Sequence, residues 1–238
     1  MRTLITLIIL FALYTCKKID IDTSDVIPFL ELSPKPVQAD GTSIINAVVK
    51  ISKDAEPSKR KIALETTSGV FATNSLKTIT VDALFENGEL VARTTIRSPI
   101  TPGQVVVTAR PEVRSPYSDF IIKDSVQASP SVAITISLST SAFGVRTGFL
   151  SDVQITGVLK NQNNKNVSSG TNVIFEDIFQ NGSPVGGRFR QVQSSSDENS
   201  KVSAFYSPGP VIPGTNIYIR ATVAGTNIKD SVLLTVIP

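Results

Sequence analysis

Residues 217–223 read IYIRATV, a run in which the first, third, fifth and seventh side chains are apolar. Successive side chains of a β-strand point to opposite faces, so a period of two predicts a strand with one buried face. A Pro-Gly pair at 213–214 precedes the run, and the stretch IKDSV follows at 228–232. Such a Pro-Gly pair is typical of a turn. This part of the sequence therefore predicts a turn, a strand, a second turn and the start of another strand.

The same arrangement occurs about one hundred residues earlier. IKDSV stands at 122–126 and returns at 228–232, an offset of 106. SPITPG at 98–103 is echoed by GPVIPG at 209–214, an offset of 111, and each copy precedes an alternating apolar strand. Order, spacing and local character agree, so the chain contains an internal repeat. We predict two homologous units, which occupy residues 27–129 and 130–238.

Outside these copies the pattern is also that of β-strands. VAITISL at 132–138 alternates, and Ile45, Ala47, Val49 and Ile51 share one face of another predicted strand. Turn pairs such as Asp-Gly, Asn-Gly and Pro-Gly separate the runs, and no 3.6-residue apolar stripe follows Cys16. About seven short strands per unit are typical of an immunoglobulin-like sandwich. The predicted fold class is all-β, with two tandem Ig-like β-sandwich domains.

Independent folding of the two units is a testable consequence of the repeat. Fragments 27–129 and 130–238 are each expected to show β-type circular dichroism and a cooperative melt, because each would contain a complete core. Failure of both fragments to fold, when the longer chain folds, would show that the repeats form one intertwined domain.

Composition excludes several kinds of chemistry. The chain has no histidine, no tryptophan and one cysteine. Without histidine there is no Ser-His-Asp triad or imidazole ligand, and one sulfur cannot build a thiolate zinc site. The adjacent Asp197 and Glu198 could offer two carboxylates, but they stand in a polar run typical of a hydrated loop. We expect no enzymatic activity, no metal site and no cofactor.

The charge distribution gives no indication of nucleic-acid binding. The net charge is only +3, and the cations are scattered without interleaved aromatic residues. The densest basic run is Lys59-Arg60-Lys61, directly after Pro57. Two interpretations of this run stay open, a solvated hairpin tip or a contact with an acidic surface.

The first residues have the pattern of an export signal. Arg2 precedes the apolar run LITLIILFAL at 4–13, which suits a signal peptide and is much shorter than the ~20 residues of a membrane-spanning helix. LYTC at 13–16 resembles a bacterial lipoprotein box. That resemblance implies a signal peptide over 1–15, a lipidated Cys16 and a tether over 16–26. It also implies a bacterial cell-envelope protein attached to the outer membrane, on the periplasmic or the exposed face.

The body of the chain resembles the bacterial immunoglobulin-like domains of the invasin and intimin type. The residues that carry the resemblance are the turns Ala39-Asp40-Gly41 and Thr67-Ser68-Gly69, the strands 88–98 and 103–109, and VIF at 173–175. It covers 27–129 and, more loosely, 130–238. The resemblance implies a surface binding or adhesion module. A structural spacer or assembly subunit of an envelope complex is the alternative, with edge strands pairing to other components.

Polar loops of the second unit are the candidate binding residues. We predict that they lie at the end farthest from the membrane and contact a protein or polysaccharide ligand. They are Asn161, Asn163, Asn164, Asn166, Asp197 and Glu198. The alternative is that these loops are solvated insertions without a ligand.

Two further sets of residues have a predicted role. Phe149, Phe175 and Phe205 are expected in the core. The repeated pairs Lys123-Asp124 and Lys229-Asp230 are either a site shared by both units or scaffold positions retained by duplication.

Overall fold

The computed structural model describes residues 26–53, 55, 57–112 and 121–238. The predicted signal peptide over 1–15, Cys16 and the tether as far as residue 25 lie outside the described residues. Within the described ranges, no helix is long and apolar enough to cross a membrane.

Eighteen strands and one 3-10 turn make up the secondary structure of the described residues. The first ten strands are β1 (Phe29–Ser33), β2 (Val37–Ala39), β3 (Ile44–Ile51), β4 (Lys61–Thr66), β5 (Val70–Phe71), β6 (Thr78–Asp82), β7 (Leu84–Glu86), β8 (Glu89–Arg97), β9 (Gly103–Pro111) and β10 (Ile122–Pro130), with the 3-10 turn at Pro57–Lys59. The other eight are β11 (Thr135–Thr140), β12 (Gly144–Arg146), β13 (Val153–Lys160), β14 (Val173–Ile178), β15 (Arg188–Gln193), β16 (Lys201–Ser207), β17 (Asn216–Val223) and β18 (Lys229–Ile237).

The strands up to β10 form two sheets that face each other, and we call this pair the N-terminal sandwich. One sheet has the order β1-β3-β8-β5 with β7 also paired to β8, and the other has the order β2-β10-β9-β4-β6. Every pair is antiparallel except β2 and β10, which run parallel. Ile45 and Val49 from the first sheet and Ile62 and Val105 from the second are fully buried in one core. The predicted face of residues 45–51 is therefore confirmed.

The later strands repeat this plan and form the C-terminal sandwich. Its sheets have the orders β11-β13-β16-β15 and β12-β18-β17-β14, and again only β12 and β18 run parallel. Ile217, Ile219 and Ala221 are fully buried, and Val223 is 4% exposed. The alternation in 217–223 thus predicted the inner face of β17 correctly, because a strand between two sheets must bury one complete set of alternate side chains.

An aspartate from the repeated IKDSV stretch joins the two sheets in each sandwich. Asp124 on β10 accepts a hydrogen bond from the Leu32 N–H of β1 at 2.8 Å, and Asp230 on β18 accepts one from the Leu138 N–H of β11 at 2.7 Å. In both cases donor and acceptor lie in different sheets. The repeated aspartates are therefore scaffold positions, as one of the two sequence interpretations proposed.

Asp124 has an additional cation partner. Lys35 Nζ lies 2.7 Å from both of its carboxylate oxygens. Burial raises the pKa of Asp124, but the hydrogen bonds from Lys35, Leu32 and Ser125 outweigh burial and hold that pKa below its ordinary value. The link between the sheets is thus made by an ionised carboxylate at neutral pH.

Strand directions define three regions along the molecule. Val26 O accepts the Ser52 N–H at 2.9 Å, so the described chain enters beside the end of β3, and we call this end the base. The junction is the opposite end of the N-terminal sandwich, with loops 40–43 and 98–103, where it meets the C-terminal sandwich. The tip is the far end of the C-terminal sandwich and consists of loops 141–152, 179–187 and 208–215 with the end of β18.

Candidate functional site

Asp40 organises the turn at the junction. It is fully buried, and its carboxylate accepts hydrogen bonds from the backbone and side chain of both Thr42 and Ser43, at 2.6 to 3.0 Å, and from Ser98 Oγ at 3.2 Å. Burial raises the pKa of Asp40, but the bonds from Ser43 and Thr42 outweigh it and lower the pKa. Gly41 supplies the positive φ of 73° that the turn requires. These contacts explain the Ala-Asp-Gly turn in the sequence.

The C-terminal sandwich is hydrogen-bonded to this turn. Ser168 Oγ donates to Ala39 O at 2.8 Å, and Ser169 N donates to Ile100 O at 3.1 Å. Lys165 Nζ donates to Ser43 Oγ at 3.2 Å and lies 3.7 Å from Asp40 Oδ2. Backbone and charged contacts across one interface fix the orientation of two domains better than an exposed linker alone would.

The four predicted asparagines lie at this junction. Asn161 is only 4% exposed: its Nδ2 donates to Gln38 Oε1 at 3.2 Å and to Ser131 Oγ at 2.9 Å, and its Oδ1 accepts two backbone N–H groups. Asn166 is half-buried and accepts a bond from Lys160. Asn163 and Asn164 are exposed. Asn161 therefore holds the junction together, and only the middle of the loop is accessible to a ligand.

The two predicted carboxylates, Asp197 and Glu198, also lie at the junction. Asp197 uses Oδ1 to accept the backbone N–H groups of Asn199 and Lys201, both at 2.8 Å, so it stabilises its own turn. Glu198 is exposed and lines an open cleft of about 630 Å³ together with Asn199 and the 98–103 turn of the N-terminal sandwich. Asp197 is thus engaged within its own turn, whereas Glu198 faces the cleft.

The prediction that these loops lie at the far end of the molecule is therefore wrong. β13 runs from the tip to the junction and β14 returns, so the loop between them must lie at the junction. The same holds for the loop between β15 and β16. The glycine-rich stretch 182–187 connects β14 to β15 and lies at the tip.

Hydrogen bonds hold the loops of the tip together. Gly148 N donates to Gly209 O and Phe149 N to Pro208 O, both at 2.9 Å. Thr147 Oγ1 donates to Val211 O at 2.6 Å. The 141–152 and 208–215 loops are separate connections between strands, and these bonds join them at the tip.

The surface of the tip is apolar and exposed. Phe143 is 71% exposed, Leu150 72% and Ile212 78%. Each exceeds the exposure of every other large apolar side chain among the described residues. Apolar side chains grouped on an ordered loop surface, instead of scattered singly, indicate an interaction site. We take the tip as the candidate functional site.

Arginine accompanies these apolar groups. The Arg188 guanidinium carbon lies 4.9 Å from the centroid of the Phe149 ring, a cation–π contact, and Arg146 is exposed. Arg190 forms an ion pair with Asp152. Arginine and aromatic residues are enriched among the residues that contribute most to protein–protein binding. The tip combines both.

A buried polar contact supports the tip from below. Tyr206 is fully buried, and its hydroxyl donates to Asp177 Oδ2 at 2.9 Å, while the Gly187 N–H donates to the same oxygen at 2.6 Å. Burial and the nearby Asp177 carboxylate raise the pKa of Tyr206. A Cβ at Gly187 would overlap the tyrosine ring, which explains the glycine at this position.

Sequence reasoning did not find the apolar tip. Phe149 was predicted in the core, yet it is 41% exposed, has a φ of 62° and lies in a tip turn. Phe175 is partly buried against the core as expected. Phe205 is only half-buried, because Ala204 and Tyr206 occupy the inner face of β16. The one sequence signal for an exposed apolar residue here was its position directly after a glycine in a turn, as Phe149 follows Gly148.

Metal binding finds no support in the described part of the chain. It contains no group of three or more His, Cys, Asp and Glu side chains arranged to hold an ion.

Comparison with known proteins gives structural neighbours only. No protein-family model and no curated protein matches the chain. Invasin, a bacterial integrin-binding protein, gives a TM-score of 0.59 at 18% identity, over 87% of this chain and 38% of invasin. The fold is immunoglobulin-like, of the invasin type.

Two further adhesins also resemble the chain. Adhesin InvE of Yersinia pseudotuberculosis gives a TM-score of 0.49 at 12% identity, over 89% of this chain and 60% of InvE. FdeC, an adhesin of Escherichia coli, gives 0.41 at 18% identity, over 89% of this chain and 65% of FdeC. The chain therefore spans less than two thirds of each of these proteins, and at 18% identity the likeness to invasin establishes the fold alone.

Proposed function

We propose that this chain is a lipid-anchored cell-envelope protein that binds a surface ligand through its tip. The observation that carries the proposal is the position of the exposed Phe143, Leu150 and Ile212 at the end opposite to the entry of the chain. With a tether at the base, a ligand bound at the tip would lie as far from the membrane as the molecule allows. The two sandwiches, over 27–129 and 130–238, would hold that contact away from the membrane.

The kind of ligand follows from the chemistry of the tip. Exposed aliphatic and aromatic side chains with arginine suit a protein partner that offers an apolar patch rimmed by carboxylates. The binding of integrin by invasin, which has the same fold, supports adhesion to a protein. A polysaccharide is the second kind of ligand predicted from the sequence, and it would use the polar residues of the junction cleft.

Removal of the apolar tip should abolish binding. The combined variant Phe143→Ser, Leu150→Ser and Ile212→Ser is expected to weaken adhesion of whole cells, or capture of a protein partner, by at least about tenfold, because the loss of several central apolar contacts costs more than ~1 kcal/mol each. Folding should persist, since all three side chains are more than 70% exposed. Circular dichroism checks the fold.

Leu76→Ser is the matched control. Leu76 is 58% exposed in the turn between β5 and β6, away from the tip. Its replacement should leave adhesion unchanged. If the tip variant binds normally and substitution of Asn163, Asn164 and Glu198 removes binding, the contact lies at the junction instead.

A spacer or assembly role is the second candidate, and the hydrogen-bonded junction favours it. Contacts such as Ser168 to Ala39 hold the two sandwiches in a fixed relation, which a spacer needs. In that case neither set of substitutions would affect binding, and the protein would co-purify in a fixed complex. Protease treatment of intact cells would determine which face of the outer membrane the anchored protein occupies.

A further inference from the structure

The entry of the chain places the base close to the proposed lipid anchor. Ile27 is fully buried, and the preceding residue already bonds to Ser52 at the base. Between Cys16 and Val26 lie only nine residues, which span at most about 35 Å when extended. A lipid on Cys16 would therefore hold the base within that distance of the bilayer.

A row of four cross-strand neighbours, three of them apolar, crosses the outer face of the sheet at the base. In the strand register Phe29 lies opposite Lys50, Lys50 opposite Val91, and Val91 opposite Leu84. Cross-strand partners share one face of a sheet. Val91 is covered, with 3% exposure, whereas Leu84 is 65% and Phe29 38% exposed. The row thus ends in two exposed apolar groups on an outer face.

The β7–β8 hairpin carries a second exposed group. Phe85 is 60% exposed, and the Arg60 guanidinium carbon lies 5.4 Å from its ring centroid. Asn87 and Gly88 have positive φ values of 48° and 79°, as a tight two-residue hairpin turn requires. Leu84 and Phe85 point to opposite faces of this ordered hairpin, and both are exposed beside its turn.

Basic side chains are concentrated beside these groups at Lys59-Arg60-Lys61. Over 53–61 the sequence has four cations, Lys53, Lys59, Arg60 and Lys61, against the two anions Asp54 and Glu56. Arg93 pairs with Glu86 at 2.8 Å and Lys50 with Glu89 at 3.0 Å. Among the described residues, no carboxylate lies within ion-pair distance of Lys53, Lys59 or Lys61.

We infer that the base rests on the bilayer itself, with Leu84 and Phe85 at the interface and the basic side chains of residues 59–61 on anionic headgroups. Aromatic side chains favour the headgroup region, and basic side chains are attracted to an anionic surface. The inference rests on the proposed lipid anchor, which keeps the base near the bilayer. It also assigns the Lys59-Arg60-Lys61 run to an acidic-surface contact, one of its two sequence interpretations.

Tryptophan reporters can test this contact, because the chain has no tryptophan of its own. The lipidated full-length protein carrying Phe85→Trp is reconstituted into vesicles of phosphatidylcholine with or without phosphatidylglycerol. We expect a shift of Trp emission to shorter wavelength and quenching by brominated acyl chains, both stronger with phosphatidylglycerol. Leu84→Trp provides a second reporter should one variant fold poorly.

Tryptophan reporters placed away from the base serve as controls. Phe143→Trp at the tip and Leu76→Trp on the side of the N-terminal sandwich should show neither the shift nor the quenching. Adding Lys59→Gln or Lys61→Gln to the Phe85→Trp protein should reduce the contact equilibrium about fivefold per lysine, since each basic residue near an anionic surface contributes to attraction. Arg60 is kept, because it stacks on the reporter.

Flotation of the protein with the vesicles distinguishes the proposed lipid anchor from the inferred contact of the base with the bilayer. A protein that floats with the vesicles, while its base reporters behave like the control reporters, keeps the anchor and overturns contact of the base. A shift at Phe143→Trp instead of Phe85→Trp also overturns it. A protein that does not float at all overturns the anchor, and the inference with it.

Discussion

Gly69→Ala is expected to lower the free energy of unfolding of the N-terminal sandwich by about 3 kcal/mol or more. Gly69 has a φ of 73°, and a Cβ there would overlap the carbonyl oxygen of Arg97 on β8. That oxygen belongs to the backbone of a strand beside a turn and cannot move without disturbing the pairing of Val70 with Arg97. Denaturant unfolding of the full chain measures the loss.

Gly88→Ala distinguishes the cost of a left-handed backbone conformation from the cost of steric overlap with a neighbouring atom. Gly88 has a similar φ of 79°, yet no atom lies within 4 Å of the position that its Cβ would occupy. Its replacement should cost only about 1 to 2 kcal/mol, the cost of a left-handed conformation for a residue with a Cβ. If Gly69→Ala and Gly88→Ala lowered the free energy of unfolding equally, the overlap with Arg97 would have no effect on stability. The comparison also tests why glycine ends the Thr-Ser-Gly turn in this sequence.

Cys16→Ala is expected to abolish incorporation of labelled fatty acid and to release the protein from the membrane fraction. Each buried methylene of an acyl chain contributes about 0.8 kcal/mol to membrane attachment, so loss of the diacylated thiol removes the main attachment energy. The chain has one cysteine, so no other thiol can take the label. Metabolic labelling followed by fractionation measures both effects.

Thr15→Ala is the control for this substitution. It changes the neighbouring residue and leaves the thiol in place, so labelling and membrane attachment should persist. Retention of the label in Cys16→Ala would disprove lipidation at this residue. Loss of the label with persistent membrane association would instead identify the base contact as sufficient for attachment.

Local sequence could predict the strands and their buried faces. The apolar positions of 45–51 and 217–223 had to face a core, because alternation leaves no other way to bury them in a sheet. The repeat also indicated the shared role of Asp124 and Asp230, although the hydrogen bonds across the sheets became visible only in three dimensions.

Loop positions could not be predicted in the same way. The end of the molecule at which the 161–166 loop lies depends on the number and direction of all the strands before it. Asn161 looked like a typical exposed loop residue, but it is 4% exposed and donates a hydrogen bond to Gln38, 123 positions away in sequence. Phe149 was expected in the core, but it is 41% exposed in a turn of the tip, because the position of that turn depends on the strands around it.

Parallel pairing of the second and last strands of each sandwich would have a mechanical consequence for a protein held at one end and bound at the other. β2 pairs with β10 through Val37–Ala128, Gln38–Ser129 and Ala39–Pro130, and β12 pairs with β18 in the same sense. Tension applied between the ends of a sandwich pulls such neighbours past each other. All the bonds between them are then loaded in shear at once, instead of opening one after another as in a hairpin pulled from its open end. Each sandwich would therefore resist stretching along its long axis until all the hydrogen bonds between the two parallel strands break together.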